Sequence, residues 1–348
     1  MNRIALVLIA RDEARCIERC LDSARAWVDE MWVLDTGSRD HTAALARACG
    51  AQVHHCAWGD DFSAARNTAL DLTTAAWRLV LDADEWLADG GSCLNALRHQ
   101  RDPFIGLIRV VSQFEDAQGR AHEAPSWLPR LLPAGVRYEG RIHEQPKSDL
   151  PRQRLDLQVA HDGYRREFAQ IKQGRNRHLL ELALAAAPDD AYLRYQLGKD
   201  LELNHQFEEA DGHYARALQA CGQRAGWRHD LVLRQLFVLK QIGQFEQALV
   251  LAESEMPHWD HSPDFYFTLG DLLLAWAAQE PQRAAELLPM IEASWLRSVV
   301  IGERPDLQDS VSGRGSWLAA HNLAVFHDSL GDAAQARHWR EREALMRA

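Results

Sequence analysis

Trp77-Arg78-Leu79-Val80-Leu81-Asp82-Ala83-Asp84-Glu85 joins an apolar run, broken only by Arg78, to a short acidic stretch. The run reads as a buried strand. Two carboxylates one residue apart, leaving the carboxyl end of a strand, lie where open α/β sheets bind ligands. Paired hard oxygen donors suit a divalent cation that bridges a diphosphate. Upstream, Ile4–Ala10 reads as a first strand and Glu13–Ala26 as a helix with apolar positions three and four apart. Met31–Leu34 is a second strand ending at Asp35-Thr36-Gly37-Ser38, and Thr42–Cys49 is a helix with Ser38 or Asp40 as its cap. Val53–Cys56, Phe62–Thr73 and Arg78–Leu81 continue as strand, helix and strand. Strand and helix in alternation predict a Rossmann-like, mostly parallel sheet with its strand ends on one functional edge.

Downstream the grammar changes. From Phe168 onward strand patterns vanish and helical ones follow one another. Tyr192, Tyr195, Leu197-Gly198, Glu209-Ala210, Tyr214 and Ala217-Leu218 match the tetratricopeptide layout. The pattern returns at 231–252, 266–296 and 317–346. Such helix pairs cannot bury their apolar faces alone, so they stack into a solenoid. The expected division is an α/β domain at 1–165 and a helical-repeat domain at 166–348. The segment Ile301–Ser316, with Gly302, Pro305, Gly313 and Gly315, breaks the rhythm and reads either as a connector or as a loop that touches ligand.

The 348 residues carry 39 Lys and Arg against 50 Asp and Glu, a net charge of −11. That balance argues against broad binding to nucleic acid or anionic lipid, while leaving room for a local basic pocket. The apolar run at Ile4–Ala10 is too short to cross a bilayer and lacks a small-residue cleavage site. No transmembrane segment is therefore expected; a cytoplasmic location follows, with peripheral contact at the inner membrane left open. Cysteines 16, 20, 49, 56, 93 and 221 form no CxxC pair, and Cys20 shares a helical face with Ile17, Leu21 and Ala24, which reads as core.

Ala10-Arg11-Asp12-Glu13 follows the first strand without a GxGxxG, so the phosphate cradle of a nicotinamide enzyme is missing. At the end of the second strand, Asp35 offers a carboxylate suited to a ribose hydroxyl, to the N3–H of a uracil ring or to a helix turn. Together with Phe62-Ser63-Ala64-Ala65-Arg66-Asn67 and Leu81-Asp82-Ala83-Asp84-Glu85, these stretches resemble the family-two glycosyltransferases of GT-A fold. The likeness is to the branch with C-terminal tetratricopeptide repeats, which includes polysaccharide and lipopolysaccharide transferases and SunS-like peptide glycosyltransferases. It extends over nearly the whole chain; Asp12 stands where many relatives have Asn.

The resemblance implies roles. Ala10, Arg11 and Glu13 would line the nucleotide pocket and Asp35 would hold the base. Arg66 and Asn67 would face ribose or diphosphate, with Arg suited to bidentate phosphate contact. Asp82 and Ala83 would support the donor, while Asp84 would ligate Mn2+ or Mg2+ and thereby neutralise the leaving diphosphate. Arg130 would meet donor phosphate, with Trp127 near the acceptor or in the core. Glu144, following Gly140, would be the general base of an inverting transfer, unless it merely pairs with Arg141 or Arg137. His161 would complete the metal site, with His143 as its competitor. The expected reaction moves a sugar from a nucleotide donor, UDP first, to a hydroxyl or thiol on a peptide, protein or cell-surface glycan. The repeats would present the acceptor, mediate homo-oligomer formation or shield the first domain. Two other readings stand beside it: a non-catalytic repeat scaffold with a degenerate transferase domain, and an Asp-x-Asp phosphatase.

Overall fold

The computed structural model describes residues 1–115, 121–162, 166–307 and 310–347. The chain divides into two compact units, Met1–Ala185 and Ala186–Ala348. The boundary drawn at 165/166 marks where strand gives way to helix. The first unit runs on through that helix, and Gly163-Tyr164 beside the drawn boundary lie outside the described residues.

The first unit holds strands β1 (Ile4–Ala10), β2 (Glu30–Asp35), β3 (Gln52–His55), β4 (Trp77–Val80), β5 (Glu85–Asp89), β6 (Ile105–Glu115), β7 (Ala121–Pro133), β8 (Arg137–Glu139), β9 (Gln145–Lys147) and β10 (Arg152–His161). Its helices are α1 (Ile17–Arg25), α2 (Thr42–Ala48), α3 (Phe62–Leu70), α4 (Leu94–Leu97) and α5 (Arg166–Ala186). Eight strands form one mixed sheet in the order β3-β2-β1-β4-β7-β6-β10-β5, and β8 pairs with β9 apart from it. The pairs β2–β3, β1–β2, β1–β4 and β6–β10 are parallel; those of β7 with its two neighbours and of β5 with β10 are antiparallel.

These directions place the site. β1, β2, β4 and β10 all end at one edge, β5 starts there, and Arg130 on β7 lies one residue before the Leu131–Leu79 pair near the end of β4. The central strands of the sheet are buried on both faces. Ile4, Leu6 and Leu8 join α1 through Ile17, Cys20 and Leu21 on one side, while Ala5, Val7 and Val80 meet Ala65, Ala69 and Leu70 of α3 on the other. Burial on both faces is why β1 reads as a continuous apolar run and β4 as one broken only by Arg78.

The second unit stacks antiparallel helix pairs: α6 (Ala191–Leu203) with α7 (Phe207–Ala220), α8 (Arg228–Gln241) with α9 (Phe245–Trp259), α10 (Pro263–Gln279) with α11 (Ala284–Ile301), and α12 (Trp317–Ser329) with α13 (Ala333–Arg347). A Cβ on Gly198 would stand 2.4 Å from the Tyr214 ring, and one on Gly270 would stand 2.5 Å from the Trp295 ring. A glycine in the first helix thus lets an aromatic side chain of the second reach its backbone, which explains the Leu-Gly mark in the sequence. In the 301–316 segment, Glu303 accepts from the Gly313 N–H at 3.0 Å and the Ser316 hydroxyl at 2.5 Å; Gln308 and Asp309 lie outside the described residues. No helix among the described residues is long and apolar enough to cross a membrane.

Candidate active site

Two loops form one side of the edge. Asp12, in the left-handed region at φ 56°, donates its N–H to Ser38 Oγ at 3.0 Å and accepts from the Arg39 N–H at 2.7 Å. Glu13 donates its N–H to Thr42 Oγ1 at 2.7 Å, and Ala14 donates to Asp40 at 3.1 Å. Ser38, Asp40 and Thr42 therefore clamp the loop after β1 to the loop after β2. Ala10 is buried and contributes no side-chain chemistry. Arg11 is largely exposed beside Asp12, while Glu13 lies near Arg15 and accepts from the Cys16 thiol. Asp35 is 3% exposed; its Oδ1 takes the Ser38 N–H at 3.1 Å and its Oδ2 faces His55 Nδ1 at 2.8 Å.

The acidic stretch after β4 meets two buried arginines. Asp61 caps α3 by accepting from the Ala64 N–H, which starts the helix that carries Arg66. Arg66 donates from Nη2 to Asp82 Oδ1 at 2.6 Å and from Nε to Glu144 Oε1 at 2.5 Å. Arg130 donates from Nη2 to Asp82 Oδ2 at 2.6 Å and to Glu85 Oε1 at 2.7 Å. Glu85 Oε2 in turn takes the Asp82 N–H at 2.9 Å. Burial works to raise the Asp82 carboxyl, but Arg130 and Arg66 outweigh it and hold the group well below the usual carboxylate range. For Glu85, burial prevails over the pull of Arg130 and raises the carboxyl.

Glu144 thus pairs with Arg66. The alternative drawn from sequence had it pairing with Arg141 or Arg137, but Arg141 donates to the Asp60 carbonyl and Arg137 pairs with Asp71. Asn67 spends its amide on the backbone of Tyr138, donating to the carbonyl at 2.9 Å and accepting from the N–H at 2.9 Å, so it acts as a strut docking β8 on α3. Ala83 is buried.

Asp84, 4% exposed, lies with Oδ2 at 3.5 Å from His161 Nε2 and 3.9 Å from Arg15 Nη2. The other ring nitrogen of His161 meets Ser112 Oγ at 3.2 Å, which aims Nε2 at Asp84. Burial lowers the imidazole, yet the hydrogen bond and charge of Asp84 hold it above its ordinary value. His143, the competitor, is exposed in the turn between β8 and β9 with φ 52°. Trp127 is partly exposed, with the Arg154 guanidinium 4.9 Å from its ring centroid.

Several residues entered the site unannounced. Asp162, the residue after His161, binds Arg15 at 3.3 Å and Arg19 at 2.7 Å, and Arg19 stacks on Trp86 at 3.6 Å. Tyr138 is buried, and its phenol is pushed up to about 12 by that burial. Arg175 of α5 lies 5.2 Å over the Phe62 ring, within reach of the charges on Glu13, Asp82 and Asp84. Three buried donor atoms here lack a protein acceptor among the described residues: Arg66 Nη1, Arg130 Nε and the Tyr138 hydroxyl. Buried donors without acceptors are costly, and an incoming anion would satisfy them.

Residues 5–169 match the family described as Glycosyl transferase family 2. A TPR repeat-containing protein of Synechococcus elongatus is 33% identical over 309 residues, covering 82% of this chain and 76% of its own. The chain belongs to the family-2 glycosyltransferases with C-terminal tetratricopeptide repeats. The SPbeta prophage-derived glycosyltransferase SunS of Bacillus subtilis is 27% identical over 264 residues, 72% of this chain and 62% of that protein. A crystal structure of glucosyl-3-phosphoglycerate synthase from Mycobacterium tuberculosis, in complex with Mn2+, UDP and glucosyl-3-phosphoglycerate, aligns loosely. Its TM-score is 0.27 at 25% identity, over 34% of this chain and 46% of its own. The first unit of this family-2 chain is the GT-A domain expected from sequence, followed by the repeat solenoid, and membership sets the phosphatase reading aside.

Proposed function

We propose that this glycosyltransferase moves a sugar from a nucleotide donor, UDP-linked by preference, to an acceptor hydroxyl or thiol with inversion at the anomeric carbon. The observation that carries the reading is the group of buried donors without acceptors, Arg66 Nη1, Arg130 Nε and the Tyr138 hydroxyl, beside the Asp82–Asp84 edge. Charge-assisted donors beside such an edge suit a diphosphate. Asp35 stands at the end of a different strand on the same edge, where a base would lie.

The residues also fit a divalent ion. Asp84 and His161 offer one oxygen and one nitrogen 3.5 Å apart, close enough for a single ion to span, and Ser112 orients the ring. These two would hold Mn2+ or Mg2+. When bound, the ion supplies charge neutralisation for the departing nucleoside diphosphate. Three carboxylates (Asp82, Glu85 and Glu144) bond the two buried arginines and Asp84 lies beside His161, so a further anion requires added positive charge.

Asp82 keeps Arg66 and Arg130 extended toward the diphosphate position. Glu144 takes the acceptor proton as the nucleophile attacks, and the donor's glycosidic C–O bond breaks toward the diphosphate. A single displacement of this kind inverts the anomeric centre. The repeat unit would present a peptide, protein or glycan acceptor or pair with a second copy.

The test is a panel of nucleotide sugars with Mn2+, following nucleoside diphosphate release. UDP-sugars are expected to be bound and slowly hydrolysed. Absence of donor binding by the folded protein, together with hydrolysis of phosphate monoesters, refutes the reading. Glu144→Gln is expected to retain donor binding and lose transfer by about 10²–10⁴-fold; unchanged transfer removes Glu144 as the base.

A further inference from the structure

The carboxylate at the base end of the site is held by a relay that no motif announces. His55 lies opposite Asp35 in the parallel β2–β3 ladder, with its side chain mostly in solvent and Nδ1 at 2.8 Å from Asp35 Oδ2. Its other nitrogen, Nε2, lies 2.8 Å from Arg47 Nη2 in the last turn of α2. A guanidinium has donors only, so Nε2 must accept and the ring proton must sit on Nδ1. His55 is therefore the neutral Nδ1–H tautomer, donating to Asp35, and Arg47 is what selects that tautomer. With the Ser38 N–H on Oδ1, each Asp35 oxygen has one fixed donor and the carboxylate plane is set.

We propose that Arg47 and His55 are positioning residues that make Asp35 select a nucleobase presenting an imide N–H. This rests on the uridine-donor reading of the same site. Held by two donors, Asp35 has only lone pairs to offer a ligand. Uracil places an N–H donor between its two carbonyls, which the carboxylate accepts. Cytosine places a bare ring nitrogen there, and two acceptors repel. The relay thus converts one aspartate into a discriminator between bases of nearly equal size, the kind of site that rejects a ligand by leaving buried polar groups unpaired.

The experiment is calorimetric titration of the full chain, in the presence of Mn2+, with UDP and with CDP. The wild type is expected to prefer UDP. His55→Ala is expected to weaken UDP about tenfold while leaving CDP nearly unchanged, the usual scale for a lost charge-assisted hydrogen bond. His55→Asn, whose amide nitrogen can stand where Nδ1 stands and still donate, is expected to recover most of the preference. Arg47→Ala, which frees the ring to take the other tautomer, is expected to erode it about threefold. A structural role for His55 would weaken UDP and CDP alike, so an unchanged UDP-to-CDP ratio in His55→Ala overturns the relay while the uridine reading stands. Absence of any UDP preference in the wild type overturns the uridine reading, and the relay with it.

Discussion

Replacing Arg66 by Met is expected to destabilise the first unit through one orphaned carboxylate. The Arg66 guanidinium is buried and bridges Asp82 and Glu144 at 2.6 and 2.5 Å. In Arg66→Met, Asp82 keeps Arg130 at 2.6 Å, but Glu144, whose side chain is only 10% exposed, loses its bonded guanidinium. Removing one partner of a buried pair costs about 3–5 kcal/mol. The surviving Asp82–Arg130 contact places this case near the lower end, at about 3 kcal/mol. For a unit of this size each kcal/mol moves the midpoint by about 2–4 °C, so melting should fall by roughly 6–12 °C. The informative companion is Arg66→Met with Glu144→Met. It removes both charges and fills the space with apolar atoms, a change that is often neutral for a buried pair. Thermal melts of wild type, both single variants and the double variant at neutral pH complete the cycle. The double variant should stand well above Arg66→Met. If the double variant loses as much stability as the two single variants summed, the Arg66–Glu144 contact carries no coupling energy and the reasoning fails.

Chelation with EDTA should weaken UDP binding by at least about tenfold in the wild type, and Mn2+ should restore it. Asp84→Ala should bind UDP weakly with or without Mn2+, while retained Mn2+ stimulation in that variant would remove Asp84 as a ligand. In the repeat unit, burial works to raise the Asp230 carboxyl, but Arg234 and Lys199 outweigh it and hold it below its ordinary value. A depressed carboxyl contributes stability that is present above the unfolded value of about 3.9 and lost as pH falls through the folded value. Asp230→Asn should therefore melt lower than wild type at neutral pH, and the gap should close as pH is taken from about 5 toward 2. Equal acid sensitivity in the two proteins would contradict this. Gly198→Ala should cost about 1–3 kcal/mol, because the new methyl meets a Tyr214 ring that is fully buried and bonded to Glu202 at 2.6 Å. An unchanged melt would mean the ring has room to move.

The architecture was legible because each of its parts writes a local signal. β1 is apolar throughout and β4 is interrupted only by Arg78, both being covered on two faces, and the glycines at 198 and 270 mark where an aromatic ring must meet a helix backbone. Candidate residues were legible from position alone where they leave the end of a strand that is itself legible, as Asp35, Asp82 and Asp84 do, whereas Arg66, Arg130 and Glu144 were named only through the family resemblance. Asp82 and Asp84 look alike in sequence, and it is tertiary geometry that parts them, one toward two arginines and the other toward His161. Residues that announce chemistry by their type also serve structure. Ser38, Asp40, Thr42 and Asn67 all sit in recognisable motifs, yet their hydrogen bonds go to backbone N–H groups of a neighbouring loop or strand. The converse holds for Glu85, Tyr138, Asp162, Arg47 and His55. Each acts through a partner on a different strand or helix, and strand order sets those partnerships. β5 begins with the acidic stretch and turns back antiparallel to β10, which puts Glu85 opposite His161 although 76 positions separate them. A short strand with charged ends has little periodicity to betray that pairing. The acidic edge of this sheet is thus assembled from segments whose individual readings are weak, and its charge balance becomes visible only when Arg66 and Arg130 arrive from α3 and β7 to bridge Asp82.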